Sequence, residues 1–310
     1  MQFFGSDEVA AALPWQRLIE TIQETLIADG AVAPERTVHP VAVPGGRDAS
    51  LLLKPGWLIG DVIAVKVVTF FPDNGDHGLA TVNAGVLLFD ATTGVFLGAC
   101  DGNELTTRRT AAASAVAAKR LARDDARRLL VVGTGALAPM TAQAHATVRS
   151  YDSVQIWGRD TRKAAAVVAS LASIDAAVSV CEDLDAGVAE ADTITCVTGA
   201  TSPLIRGELL RPGTHVDLIG AFTPEMRETD DDVIRKARVW VDTRADGVLA
   251  GDLAQPLASG LLTLDMLQGD LAELVAGRCP TRTSDDEITL FKSAGTALED
   301  VAAAKLIFES

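Results

Sequence analysis

The sequence predicts an α/β protein: a doubly wound parallel sheet set into a smaller α+β part. Three observations predict it. The apolar run 129–132 ends in Gly133-x-Gly135-x-x-Ala138 and then turns Ala-rich and helix-prone. After residue 133, short apolar runs alternate with helical stretches, the pattern of a parallel sheet. Before residue 104 the pattern differs, with strand-like runs separated only by Gly, Pro, Asn and Asp, as in an antiparallel sheet.

The elements follow in order. Ser6 or Asp7 caps a first helix running to about Ala28, with Gly30 after its end. A polar, proline-punctuated stretch covers 34–40. Strands are expected at 49–54, 61–70, 81–90 and 94–101, with a turn-rich segment at 72–76. From Glu104 the composition shifts, and residues 106–122 form an Ala-rich helix ended by Asp124 and Asp125. The strand at 129–132, its glycine turn and a helix come next. Further strands are expected at 153–157, 178–180, 193–198, 215–219 and 239–241. A strand at 288–293 and a helix at 297–307 close the chain.

Composition narrows the function. The 310 residues are 48% hydrophobic, enough for a large core or two domains. A net charge of -15 argues against nucleic acid or an anionic membrane as partner. No signal-peptide pattern and no membrane-length apolar run occur, which points to a cytoplasmic protein. Cys100, Cys181, Cys196 and Cys279 are scattered, so neither a disulfide framework nor a metal site is expected. His39, His77, His145 and His215 make no ligand cluster either. His145 reads as a structural residue of a helix. His77, in the turn-rich loop, is placed to approach a ligand. The acidic runs 230–232 and 285–287 read as solvated helix starts.

The glycine turn is the strongest chemical signal. Gly133 permits a tight turn, Gly135 lets backbone approach a pyrophosphate, and Ala138 lets helix and strand pack closely. The helix start at Ala136 and Leu137 offers free N–H groups to phosphates. With strands on either side at βαβ distance, this is a Rossmann-type nucleotide unit. Thr198, at the end of the strand 193–198, joins the expected cofactor contacts. Arg159 follows the second strand, where an acidic residue would accept the ribose hydroxyls of NAD. An arginine there suits a 2′-phosphate, supported by Arg162 and Lys163. Asp160 beside it leaves NADH usable. NADPH is therefore the expected cofactor, with NADH possible.

Three cations are candidates for an anionic substrate. Lys66 interrupts the apolar strand 62–68, and a lysine there must snorkel, pair or serve a ligand. Arg109 stands at the start of an Ala-rich helix, opposing the dipole unless an anion offsets it. Arg36 lies in the polar stretch.

Five segments together carry a resemblance: 64–69 (Ala-Val-Lys-Val-Val-Thr), 107–112 (Thr-Arg-Arg-Thr-Ala-Ala), 132–136 (Val-Gly-Thr-Gly-Ala), 220–228 (Gly-Ala-Phe-Thr-Pro-Glu-Met-Arg-Glu) and 291–295 with Glu299 and Asp300. The chain resembles the ornithine cyclodeaminase/mu-crystallin family over nearly its whole length. The resemblance implies a homodimer. It also implies a substrate-binding and dimerisation domain from residues 1–115 plus 285–310, around a nucleotide domain at 116–284. It places Arg36, Lys66 and Arg109 around a substrate carboxylate, and Thr81, with Arg109, near the cofactor. Lys66 is the expected catalytic residue.

Two departures bear on the substrate. Ornithine cyclodeaminases carry an aspartate where this chain has Phe222, and a glutamate where it has Leu52. Both acids are replaced by apolar groups. The 222–228 variant resembles reductases of Δ1-pyrroline-2-carboxylate and Δ1-piperideine-2-carboxylate, so a small cyclic imino acid is the expected ligand, with Phe222 beside its ring. The implied reaction is NAD(P)H-dependent reduction to L-proline or L-pipecolate. Ornithine cyclodeamination, an alanine-dehydrogenase-like reaction and a non-catalytic NADPH-dependent binding protein of the mu-crystallin type are the alternatives.

Overall fold

The computed structural model describes residues 2–310, which divide into two compact units. The first runs through Arg109 and takes back Thr296–Ser310; the second is Thr110–Gly295. Both expected boundaries therefore move. The helix expected to end the first domain has eight buried residues in a row, Ala111 to Ala118, and these go with the second unit. The strand at 288–292, expected with the C-terminal segment, is fully buried in the second unit's sheet.

The first unit contains β1 (Gln2–Phe4), α1 (Ser6–Ala12), α2 (Trp15–Leu26), β2 (Ala31–Val32), β3 (Thr37–Val41), β4 (Ala49–Leu58), β5 (Val62–Phe70), β6 (Val82–Asp90), β7 (Phe96–Asp101) and the start of α3 (Gly102–Leu121). The single helix expected to Ala28 is two helices. Pro14 lacks an N–H and cannot continue α1, but it starts α2 well. The proline-punctuated stretch also proves partly ordered: β3 pairs with β4, carrying Pro40 on the sheet's margin.

The sheet order is β1-β7-β6-β5-β4-β2, with β3 also on β4. Every pairing is antiparallel except β1 with β7. One face is buried by the C-terminal helix α10 (Ala297–Glu309). That helix lies close: a Cβ on Gly56 of β4 would come within 3.0 Å of Ala297 Cβ and Val301 Cγ2. Lys54 and Gly56 of β4, Ala64 and Lys66 of β5, and Val86 and Leu88 of β6 share this buried face. The alternate residues Leu53, Trp57, Ile63, Val65, Val67, Leu87 and Phe89 form the opposite face, also apolar and half-buried.

The second unit contains β8 (Arg128–Val132), α4 (Leu137–Val148), β9 (Ser153–Trp157), α5 (Thr161–Ser170), β10 (Ala177–Val180), α6 (Leu184–Glu190), β11 (Thr193–Cys196), β12 (His215–Leu218), α7 (Asp231–Lys236), β13 (Ala237–Val241), α8 (Gly251–Ser259), β14 (Leu267–Asp270), α9 (Leu271–Val275) and β15 (Ile288–Lys292). Its eight strands are all parallel, in the order β10-β9-β8-β11-β12-β15-β13-β14. The order reverses between β8 and β11. In open parallel sheets such a switch point is where ligands bind, beyond the carboxyl ends of the strands. Asp230 caps α7, accepting from Asp232 N and Val233 N at 3.1 Å each, so the 230–232 run is a helix start. The 285–287 run is not. It is a turn leading into β15, with Glu287 paired to Arg238 at 2.7 Å.

His145 of α4 is fully buried, 2.9 Å from Ser114 Oγ and 3.5 Å from Asp217. This serine–histidine–aspartate group is sealed in the core, with none of its three members exposed. All four cysteines are free. Among the described residues no His, Cys, Asp or Glu cluster fits a metal ion, and no helix is long and apolar enough to cross a membrane.

Candidate functional site

At the switch point lies a cavity of about 450 Å³. Gly133, Thr134 and Gly135 after β8 line one side; Val197, Thr198, Gly199 and Ala200 after β11 line another; Trp157, Gly158 and Arg159 after β9 a third. Gly133 has φ +133°, which L side chains rarely adopt, and a Cβ there would lie 2.9 Å from the Val197 carbonyl oxygen. Only glycine serves both demands. At Gly135 a Cβ would meet nothing within 4 Å. That open space above bare backbone is what a phosphate needs. Ala136 begins α4 with no side-chain cap; Ala138 N donates to the Gly135 carbonyl at 3.0 Å and Pro139 has no N–H, so in the first turn it is the Leu137 N–H that is left for an anion. These residues fit a dinucleotide.

Arg159 and Asp160, which follow Gly158 at the end of β9, divide their work. Asp160 caps α5, accepting from Arg162 N at 3.0 Å, and pairs with the Arg162 side chain at 3.1 Å. The hydrogen bonds from Arg162 hold its carboxyl below the usual range. Arg162, expected to reinforce a positive pocket, is thus partly neutralised. Arg159 is exposed, lines the cavity and makes no ion pair among the described residues.

Thr198 reaches the cavity, but its own donors are spent beneath it. Its N–H and Oγ1 both donate to Glu228 Oε1, at 2.7 and 2.8 Å. Glu228 belongs to a fully buried group. Asp252 Oδ1 accepts from Glu228 N at 2.7 Å, and Lys292 Nζ lies 3.3 Å from Asp252 and donates to the Gly220 carbonyl. Burial pushes the Glu228 carboxyl up to about 8; Lys292 opposes this and Asp252 adds to it. Phe222 follows Ala221, whose φ is +50°, and is 62% exposed. It is not a core residue.

In the first unit two of the three expected cations, Lys66 and Arg109, come together. Lys66 Nζ donates to Asp300 Oδ1 at 2.7 Å and to Thr106 Oγ1 at 3.3 Å. Arg109 Nε lies 2.8 Å from the same Asp300 oxygen, and its Nη1 donates to Glu299. All four charged groups are buried. Arg109 is not in the first turn of its helix, since α3 begins at Gly102 with Asp101 accepting from Glu104 N. Its charge is answered by α10 rather than by a helix end. Burial lowers the Lys66 pKa well below the ordinary lysine value; Arg109 and Lys54 lower it further, and Asp300 opposes them. Burial alone would raise Asp300, but Arg109, Lys66 and Lys54 outweigh it and hold the carboxyl well below its usual range.

Sequence reasoning missed Lys54, and quoted Glu299 and Asp300 without a role. Lys54 is the direct cross-strand partner of Lys66 and lies 3.6 Å from Asp300 Oδ2. Its signal was available: a second lysine in an apolar strand, 12 residues from the first. Arg36, half-buried, precedes Thr37, which pairs with Leu53 next to Lys54. Leu52, two residues from Lys54 on the same face, pairs with Val38 and Val68 in apolar company. Thr81 lies at the entry to β6, its carbonyl accepting from Phe71 N at 2.8 Å. His77 borders a separate cavity of about 390 Å³ with Arg47 and Asp73.

A family model described as the ornithine cyclodeaminase/mu-crystallin family matches residues 8–310. A Δ1-pyrroline-2-carboxylate reductase of Paracoccus denitrificans is 35% identical, covering 99% of this chain and 96% of its own. A ketimine reductase mu-crystallin of Rattus norvegicus is 34% identical, over 99% of this chain and 96% of its own. Among solved structures, the Δ1-pyrroline-2-carboxylate reductase of Thermococcus litoralis, in complex with NADH and L-proline, matches with a TM-score of 0.93. It is 29% identical, covering 100% of this chain and 97% of its own.

Proposed function

The chain belongs to the ornithine cyclodeaminase/mu-crystallin family, and from that premise we propose that it is an NAD(P)H-dependent oxidoreductase reducing the C=N bond of cyclic ketimine carboxylates to L-proline or L-pipecolate. The observation that carries this reading is the buried group in which Lys66 and Arg109 share Asp300. A lysine and an arginine held rigidly together suit one anionic, nitrogen-containing substrate. The planar guanidinium of Arg109 binds the carboxylate, with Arg36 as the second cation. Lys66 Nζ holds the proton that the imine nitrogen requires.

Residues of the second unit hold the nicotinamide cofactor, which when bound supplies the hydride. Gly133, Gly135, Ala136 and Leu137 take the pyrophosphate. Arg159, free at the cavity while Asp160 is engaged in capping, favours a 2′-phosphate and hence NADPH; Asp160 released from its cap would accept NADH. Thr198 supports the cofactor through shape, since its donors are committed to Glu228. Thr81, with Arg109, is a proposed cofactor contact of the first unit.

Phe222 and Leu52 favour reduction over cyclodeamination. Both present hydrocarbon where ornithine's two amines would need acids, and Phe222 offers an apolar surface to a flat ring. The assay is NADPH oxidation with Δ1-pyrroline-2-carboxylate and Δ1-piperideine-2-carboxylate, run beside ammonia release from ornithine with catalytic NAD. Turnover of a ketimine without ammonia release is expected; steady proline and ammonia from ornithine refutes the assignment.

A homodimer is part of the same proposal. An antiparallel sheet normally keeps one face wet and polar. Here the face away from α10 carries Leu53, Trp57, Ile63, Val65, Val67, Leu87 and Phe89, and a second copy is its natural cover. Light scattering at the monomer mass across micromolar concentrations refutes that.

A further inference from the structure

Three cations converge on one carboxylate in the first unit. Lys66 and Arg109 approach Asp300 Oδ1 at 2.7 and 2.8 Å, and Lys54 approaches Oδ2 at 3.6 Å. Glu299 answers Arg109. Three positive groups therefore crowd the Asp300 carboxylate, and all of these charges are buried. Resting on the reductase reading, we propose that Lys54 is a positioning residue for Lys66: by sharing Asp300 it keeps the Lys66 proton loosely held and transferable.

The geometry makes the coupling direct. Lys54 and Lys66 are opposite each other on β4 and β5, on the face that α10 covers. Both are buried, so water screens their repulsion far less than it would for an exposed pair. Arg109 cannot give up its proton. Repulsion among the three cations can be relieved by proton loss only at an amine, and Lys66 shares its carboxylate oxygen with the guanidinium. Arg109 and Lys54 both push the Lys66 pKa down, beyond what burial does. The other groups around Lys66 do not offset this. Thr106 of α3 is neutral, Val86 of β6 is apolar, and the Cys100 thiol of β7 is pushed up to about 12, chiefly by burial, and stays protonated. In the reaction the Lys66 Nζ–H bond breaks as an N–H bond forms at the imine nitrogen. Lys66 is left as a neutral amine and regains its proton from solvent.

The test reads Lys66 directly. Protein carrying ¹³C-labelled lysine is titrated by NMR through the Lys66 Cε signal, assigned by its loss in Lys66→Met. The wild-type titration is expected below the ordinary lysine value. Lys54→Met should move it up by about one pH unit, Asp300→Asn should move it down, and Lys54→Arg should leave it in place. The alkaline limb of kcat/KM for ketimine reduction should follow in the same directions. A merely structural role would not shift the limb in opposite senses. Lys54→Gln has the same expected sign if Lys54→Met does not fold. A wild-type Lys66 that titrates like a free lysine, or one unmoved by neutralising Lys54, overturns the proposal. Movement of the Lys66 titration with no ketimine turnover at any pH leaves the charge coupling standing and refutes the reductase reading instead.

Discussion

Glu228→Gln isolates the charge of the buried group beneath the cofactor cavity. In the native protein Glu228 is fully buried, and its carboxyl is pushed up to about 8, from an ordinary value of 4.5. A group whose folded pKa lies above its unfolded one binds its proton more tightly when folded. Its contribution is complete below the unfolded value and is lost as pH rises through the folded one. The slope is at most about 1.4 kcal/mol per pH unit. Between pH 6 and 8 the wild type should therefore lose about 2 kcal/mol from this group alone. For a chain of this size that is a fall in Tm of about 3 °C. Glutamine keeps an oxygen to accept from Thr198 N and Oγ1 but cannot ionise. Thermal unfolding of both proteins at pH 6, 7 and 8 measures the difference, and comparing them cancels every other titrating group. The variant's Tm advantage should widen by about 3 °C across that range. A gap that stays constant, or narrows, refutes the raised carboxyl and the burial argument behind it.

Two further outcomes are expected. Arg109→Ala should cut kcat/KM for the ketimine by roughly two to four powers of ten. It should also cost about 3–5 kcal/mol in urea unfolding, because Glu299 and Asp300 lose a buried partner; near-normal kcat/KM in folded protein removes it from the carboxylate site. NADPH should beat NADH by about tenfold in kcat/KM, about 1.4 kcal/mol, because Arg159 is open to solvent and screened. Arg159→Ala should raise KM for NADPH far more than for NADH, and a wild-type preference for NADH that the substitution leaves unchanged defeats that role.

The backbone chemistry of the nucleotide unit was legible in the chain because it is local. Gly133 must be glycine for its own φ, and the strand–turn–helix pattern around it spans barely 20 residues. The strand at 129–132, Leu-Leu-Val-Val, announced itself by an apolar run, since a central parallel strand is buried on both faces. A lysine inside the apolar strand 62–68 also declared that something unusual had to satisfy it. What satisfied it did not show. Asp300 stands 234 residues from Lys66, and only the packing of α10 on the antiparallel sheet brings the two together. The cross-strand register, not the spacing along the chain, sets Lys54 opposite Lys66. The same holds for the 285–287 turn and for β15, whose place between β12 and β13 moved the domain boundary; the break at Pro14 is local, since proline lacks the N–H a continuing helix needs. Local sequence determines which backbone conformations are allowed and which faces are apolar. Which buried charges share a partner is decided by tertiary structure, because an ion pair removed from water depends on a few ångströms across elements far apart in the chain.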